Sequence, residues 1–103
     1  MELNQYRHGD VGVFQAVIPA EAKAEQRLGD VILAMGEVTG HAHRIRDRHV
    51  TTFLHAGRRF MRVEGEPAAL THEEHGRIDL APGDYEVVIQ REYRPEGDRR
   101  VAD

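Results

Sequence analysis

Seven histidines stand in a chain of 103 residues, and four of them fall in two close pairs, His41 with His43 and His72 with His75. Imidazole is the commonest nitrogen donor to transition metals, so such spacing raises metal ligation before any other chemistry. Two strand residues at i and i+2 project side by side from one face, close enough to grip one ion while the backbone stays extended. His41 and His43 have that spacing. In Thr71-His72-Glu73-Glu74-His75 the second pair brackets two carboxylates. A turn there brings His72 and His75 together, or offers Glu73 and Glu74 as oxygen ligands or as the acid and base of a metal-assisted reaction. Two intervening residues exclude the zinc-protease helix motif, which needs three. An ion held by nitrogen and oxygen alone would be divalent, such as Zn, Fe, Mn or Ni, and would leave as acid protonates the imidazoles near pH ~6.5. The metal-free alternative makes His41 and His43 a hydrogen-bonded strand pair and leaves His72 and His75 in a polar turn with both glutamates solvated. His8, His49 and His55 read as structural or surface residues, because His8 precedes a turn and His49 sits in an Arg-rich loop.

Composition removes most other chemistry. Cysteine and serine are both absent, which excludes disulfides, thiolate metal sites, cysteine nucleophiles and serine hydrolysis. No phosphate-binding glycine loop and no nucleophile elbow is present. The net charge of −4 argues against nucleic acid as the main partner. No apolar run approaches the ~18 residues needed to span a membrane. The first residues lack the basic and apolar regions of a secretory signal, so the expected compartment is the cytoplasm. Thirteen Arg stand against one Lys. That ratio fits planar recognition of carboxylate or phosphate, or a compositional bias expressed on solvated strand faces.

The elements that must position the histidines are strands. A Gly-Asp pair directly precedes a β-prone run at Gly9-Asp10, Gly29-Asp30 and Gly83-Asp84, and each reads as a turn feeding a strand. Strands are expected over 11–18, 31–39, 41–46, 51–55, 59–63, 68–72, 77–80 and 85–93. Pro19 stops the first, and Gly36 suggests a bulge in the second. Residues 19–28 are rich in helix formers and allow one short helix or a polar excursion before Gly29. Alternation puts His41, His43 and Ile45 on one face with Arg44 and Arg46 on the other, and because Ile45 belongs in a core the histidines face inward. It likewise puts Tyr85, Val87, Ile89 and Tyr93 inward, with Glu86, Gln90 and Glu92 outward. About eight short strands predict an all-β fold, a single small β-barrel or sandwich with at most one short helix. Residues 1–103 have room for one domain, with 94–103 as a polar, frayed tail.

The run Gly36-Glu37-Val38-Thr39-Gly40-His41-Ala42-His43, followed by Leu80-Ala81-Pro82-Gly83-Asp84-Tyr85, resembles fragments of the cupin pattern, in which a Gly-led strand delivers His-x-His and a Gly-Asp turn opens a later strand. The resemblance covers about a fifth of the chain. It implies a small β-barrel with a divalent metal inside and His41 and His43 as the first two ligands. No Glu follows His43 at three or four positions, and Arg stands where the late cupin histidine would be. His72 or His75 is then left to complete a site.

Three functions follow. One is a metal-dependent enzyme acting on a small molecule. Another is a module whose metal is structural or sensory. The alternative to both is a metal-free, homo-oligomeric assembly protein such as a shell, cap or phage-like component, with outward arginines meeting acidic partners. The sequence names no substrate.

Overall fold

A strand follows or opens at each of the three Gly-Asp pairs in the computed structural model, which describes residues 5–35 and 40–90 in full and the backbone of 92–94 and 97–99. Gly9-Asp10 is the two-residue loop joining β1 (Gln5–His8) to β2 (Val11–Gln15), with His8 opposite Val11 and Tyr6 opposite Val13. Gly29-Asp30 leads into β4 (Val31–Met35), and Gly83-Asp84 opens β10 (Gly83–Ile89). Between them lie β3 (Lys23–Ala24), β5 (Ala42–Ile45), β6 (Val50–His55), β7 (Arg58–Val63), β8 (Ala68–Thr71) and β9 (Ile78–Leu80). Every pairing among them is antiparallel. One sheet has the order β1-β2-β10-β7-β6-β3 and the other β4-β5-β8-β9. Among the described residues, β11 (Glu92–Arg94) and β12 (Gly97–Arg99) form a two-stranded sheet of their own.

The two sheets pack as a sandwich rather than closing into one barrel. A single apolar cluster takes Val11, Val13, Met61, Val63 and Tyr85 from the larger sheet, and Val31, Leu33, Ile45, Leu70 and Leu80 from the smaller. Period-2 patterning produces this, since a one-residue slip would turn each strand's apolar set outward. In β10, Tyr85 and Val87 are buried and Ile89 packs against the core, while Gln90 is exposed. Glu86 faces out and accepts two hydrogen bonds from the Arg58 guanidinium, at 2.8 and 2.7 Å. The inward face expected for Tyr93 lies outside the described side chains, as do the details of the 94–103 tail. The bulge expected at Gly36 also lies outside the described residues, while a register shift is present between Ile32 and Ala34.

Among the described residues there is no helix, and none is therefore long and apolar enough to cross a membrane. Residues 19–28 instead make a turn, closed by Ala22 N–H donating to Pro19 O at 3.0 Å, and the short edge strand β3 beside β6. Ten residues are too few to hold a helix alone. Tertiary ties win here. Glu25 N–H donates to Thr52 O at 2.8 Å, and the Arg27 guanidinium reaches the carbonyls of Gly29, Ile45, Arg46, Asp47 and Val50. Arg44 and Arg46 face outward as expected, but β5 and β10 lie in different sheets. Both share the Asp30 carboxylate, at 3.5 and 3.7 Å, and Arg44 also stands 3.7 Å from Glu73.

Candidate metal centre

Five of the seven histidines converge at one end of the sandwich. His8 ends β1 and shares the inward face of Tyr6, because residues directly opposite across a hairpin point the same way and its partner Val11 is core. His43 lies in β5, is 0% exposed, and projects inward with Ile45. His72 follows β8, and His75 lies in the turn before β9. The ring centroids are close: 5.0 Å for His8 and His43, 4.4 Å for His43 and His72, 4.6 Å for His72 and His75, and 5.6 Å for His43 and His75. One ligand nitrogen from each of His43, His72 and His75 lies within 4.8 Å of the other two.

Hydrogen-bond chemistry fixes which nitrogen of His43 is basic. His8 Nε2–H donates to the Gly76 carbonyl at 2.7 Å, since a carbonyl can only accept. A neutral His8 then has Nδ1 as its acceptor, and Nδ1 lies 2.9 Å from His43 Nδ1. The proton between them belongs to His43. Its Nε2 is therefore the basic nitrogen, and it faces the buried carboxylate of Asp10 across 3.5 Å. A lone pair and a carboxylate oxygen repel each other unless a cation stands between them. That cation is either a proton, giving an imidazolium–carboxylate pair, or a metal ion. Edges of about 3.4 Å are what Zn–N bonds of about 2.0–2.1 Å produce in a tetrahedron. The His43–His8–Gly76 chain also has the form that orients a ligating histidine, whose second N–H is held by an outer partner.

His72 and His75 complete the group differently. The Nε2 atoms of both are buried and have no hydrogen-bond partner among the described residues. Leaving such a group unpaired costs ~1–3 kcal/mol. His72 Nδ1 accepts from the Glu74 backbone N–H at 3.0 Å, so its neutral ring carries the proton on Nε2. Gly9 forms the floor. A Cβ there would lie 2.8 Å from His75 Nε2 and 3.0 Å from His43 Cε1, so the rings pack where a side chain would otherwise be.

The four sequence-selected histidines are thus divided. His43, His72 and His75 form the inner group, whereas His41 precedes β5 at the rim, with its side chain 23% exposed. It belongs to a second group with His72 and Glu73, whose donor atoms also lie within 4.8 Å of one another. Glu73 is held by the Ala42 backbone N–H, which donates to Oε1 at 2.9 Å and, with its own amide and the nearby Arg44 and His41, keeps its carboxyl below the ordinary range. Glu74 stands 3.9 Å from His41 Nδ1 and in neither group. A groove of about 190 Å³, lined by Arg44, Arg46, Thr71, His72 and Glu73, opens beside this outer group.

Sequence reasoning missed His8 and Asp10. The signal was present in the Gly9-Asp10 turn, because a two-residue hairpin loop makes its flanks partners. Once Val11 is inward, His8 must be inward too, and Gln5-Tyr6-Arg7-His8 alternates accordingly. His49 and His55 lie apart from the site, with His49 Nε2 against the Pro67 carbonyl at 3.0 Å and His55 ending β6.

No curated protein and no solved structure matches the chain. A family model described as Domain of unknown function (DUF8820) matches residues 7–90, a span that contains every residue of both histidine groups, and the chain belongs to that family.

Proposed function

We propose that this protein binds one divalent transition-metal ion through His43, His72 and His75, with Asp10 beside His43 as the anionic member of the site. The observation that carries the reading is the set of three imidazole nitrogens within 4.8 Å of one another, in a group where the Nε2 atoms of His72 and His75 are buried and unpartnered among the described residues. Imidazole with a single carboxylate and no sulfur suits Zn, Fe, Mn or Ni better than Ca or Mg, which prefer oxygen throughout. Asp10 offsets part of the ion's charge in a region where an isolated ion would be poorly solvated. The groove beside Glu73 could receive a small polar ligand, so action on a small molecule remains within this reading. The metal-free assembly protein is the competing one.

The test is elemental analysis of protein purified without a histidine tag, together with native mass. One equivalent of a transition metal is expected, lost in H43Q/H75Q. Adding the ion at a hundredfold excess over Kd should stabilise the apoprotein by about 2.7 kcal/mol. Wild-type protein that takes up none of Zn, Fe, Mn or Ni above micromolar background overturns the proposal. A large metal-free assembly would put the structural role in its place.

A further inference from the structure

His72 belongs to both donor groups, and this limits how they can be filled. A neutral imidazole has one lone pair, so His72 can serve one ion at a time unless it becomes a doubly deprotonated bridge. The groups therefore compete for it. They also differ in access. The inner group contains the fully buried His43 and is floored by Gly9, whereas the outer group adds His41 at 23% and Glu73 at 40% side-chain exposure. The outer group lies beside the groove, where Glu73 is the lining carboxylate alongside Arg44 and Arg46. It is also built to bind weakly. Glu73 Oε1 is engaged by the Ala42 amide, and Arg44 competes for Oε2 from 3.7 Å.

Resting on the metal-binding reading above, we propose that His41 and Glu73 form, with His72, an outer divalent-metal station through which the ion reaches the inner group. An ion captured at the rim first engages His41, Glu73 and His72. Transfer then exchanges His41 and Glu73 for His43 and His75 while His72 is retained. The protein thus never has to release a fully hydrated ion into its interior, and the desolvation barrier is divided into two smaller steps. A station on the path accelerates arrival and departure together and leaves the final affinity unchanged.

The experiment uses full-length apoprotein, Co(II) absorbance for loading, and a chromogenic chelator for extraction. Wild type, H41Q/E73Q and E74Q are compared, the last removing a carboxylate of the same turn that is a member of neither donor group. Wild type and H41Q/E73Q should both hold one ion with Kd equal within about twofold, while loading and extraction in H41Q/E73Q both slow about tenfold. E74Q should stay within about twofold of wild type in both rates. Wild-type loading in H41Q/E73Q overturns the outer station and leaves the inner site standing. Lost stoichiometry in that variant would make His41 and Glu73 resting ligands, which also overturns it. So would two ions in wild type, or equal slowing in E74Q, which would reduce the effect to charge. If wild type binds no ion, the metal-binding reading itself has failed.

Discussion

Replacing Gly9 by Ala tests whether the histidine rings are held at the spacing a metal requires. The new Cβ would sit 2.8 Å from His75 Nε2, 3.2 Å from His75 Cδ2 and 3.0 Å from His43 Cε1, against an ordinary carbon contact of about 3.5–4.0 Å. His43 cannot give way, since it is fully buried and hydrogen-bonded to His8. His75 is less buried and lies in a turn, so it moves, by about 0.7 Å if contact is restored. Metal–ligand distances tolerate only about ±0.2 Å, so affinity should fall on the order of 10–100-fold, as it does when groups that orient ligands are lost. Backbone strain must be separated from this. Gly9 has φ +63°, where a side chain costs ~1–2 kcal/mol, partly offset by the reduced freedom of the unfolded chain. Gly57 has φ +77° with nothing within 4 Å of its added Cβ, so G57A carries the strain without the collision. Chemical denaturation of the apoproteins and chelator competition for the metal should show G57A losing stability alone, and G9A losing stability and affinity. Equal affinity in G9A and G57A would refute the argument that Gly9 sets the ring positions.

Val87→Ala, at a position 7% exposed, should cost about 1–3 kcal/mol in denaturant unfolding, and Asp should be tolerated at 90 but not at 87. Ala56 adopts φ +51° in the two-residue loop between β6 and β7, with Gly57 also at positive φ, so Ala56→Gly should stabilise the protein by about 0.5–1 kcal/mol. The Arg58 guanidinium holds the Glu86 carboxyl below its ordinary range, so its contribution is present above the unfolded value near 4.3 and disappears as pH falls through the folded one. E86Q should accordingly lose stability at neutral pH and converge with wild type in acid. Metal loading should abolish the hydrogen bond from the Glu74 amide to His72 Nδ1, seen as a shift and faster exchange of that amide proton. An unchanged Glu74 amide in metal-saturated protein would show that His72 is not a ligand.

The fold was legible where period 2 and turn chemistry agree. Tyr85, Val87, Ile45 and the three Gly-Asp pairs placed strands that the structure contains. Local composition left residues 19–28 open between a short helix and a polar excursion, and the structure has the second, with the short edge strand β3. The ties of Glu25 to Thr52 and of Arg27 to the carbonyls of Ile45, Arg46, Asp47 and Val50 are long-range and leave no local trace. The candidate site divides in the same way. Spacing selected His41, His43, His72 and His75, but could not show that His41 falls to the rim and His43 to the interior. That depends on the β5 strand beginning at Ala42 and on pairing with β8 from Arg44 to Ile45. Asp10 was used up in the sequence reading as a turn residue, although its side chain is buried beside His43.

The inner group joins a fixed half to a yielding one. His43 is set by its strand, by His8 and through His8 by the Gly76 carbonyl, so its basic nitrogen has one position. His72 and His75 border the turn that carries Glu73 and Glu74, and His72 spends its lone pair on the Glu74 amide. An ion can recruit His72 only if that bond breaks. Binding at Nδ1 displaces the amide directly, and binding at Nε2 sends the ring proton to Nδ1, which then cannot accept. Because each route disturbs the same peptide, affinity depends on how cheaply residues 73–75 can move. A backbone hydrogen bond of ordinary worth, ~0.5–1.5 kcal/mol, is small beside the ~10 kcal/mol or more that a structural zinc site can supply. The Glu74 bond is therefore strong enough to hold His72 in place without metal and too weak to prevent its recruitment. Replacing the turn with a stiffer one would weaken metal binding through His72 while leaving His43, His8 and Asp10 as they are.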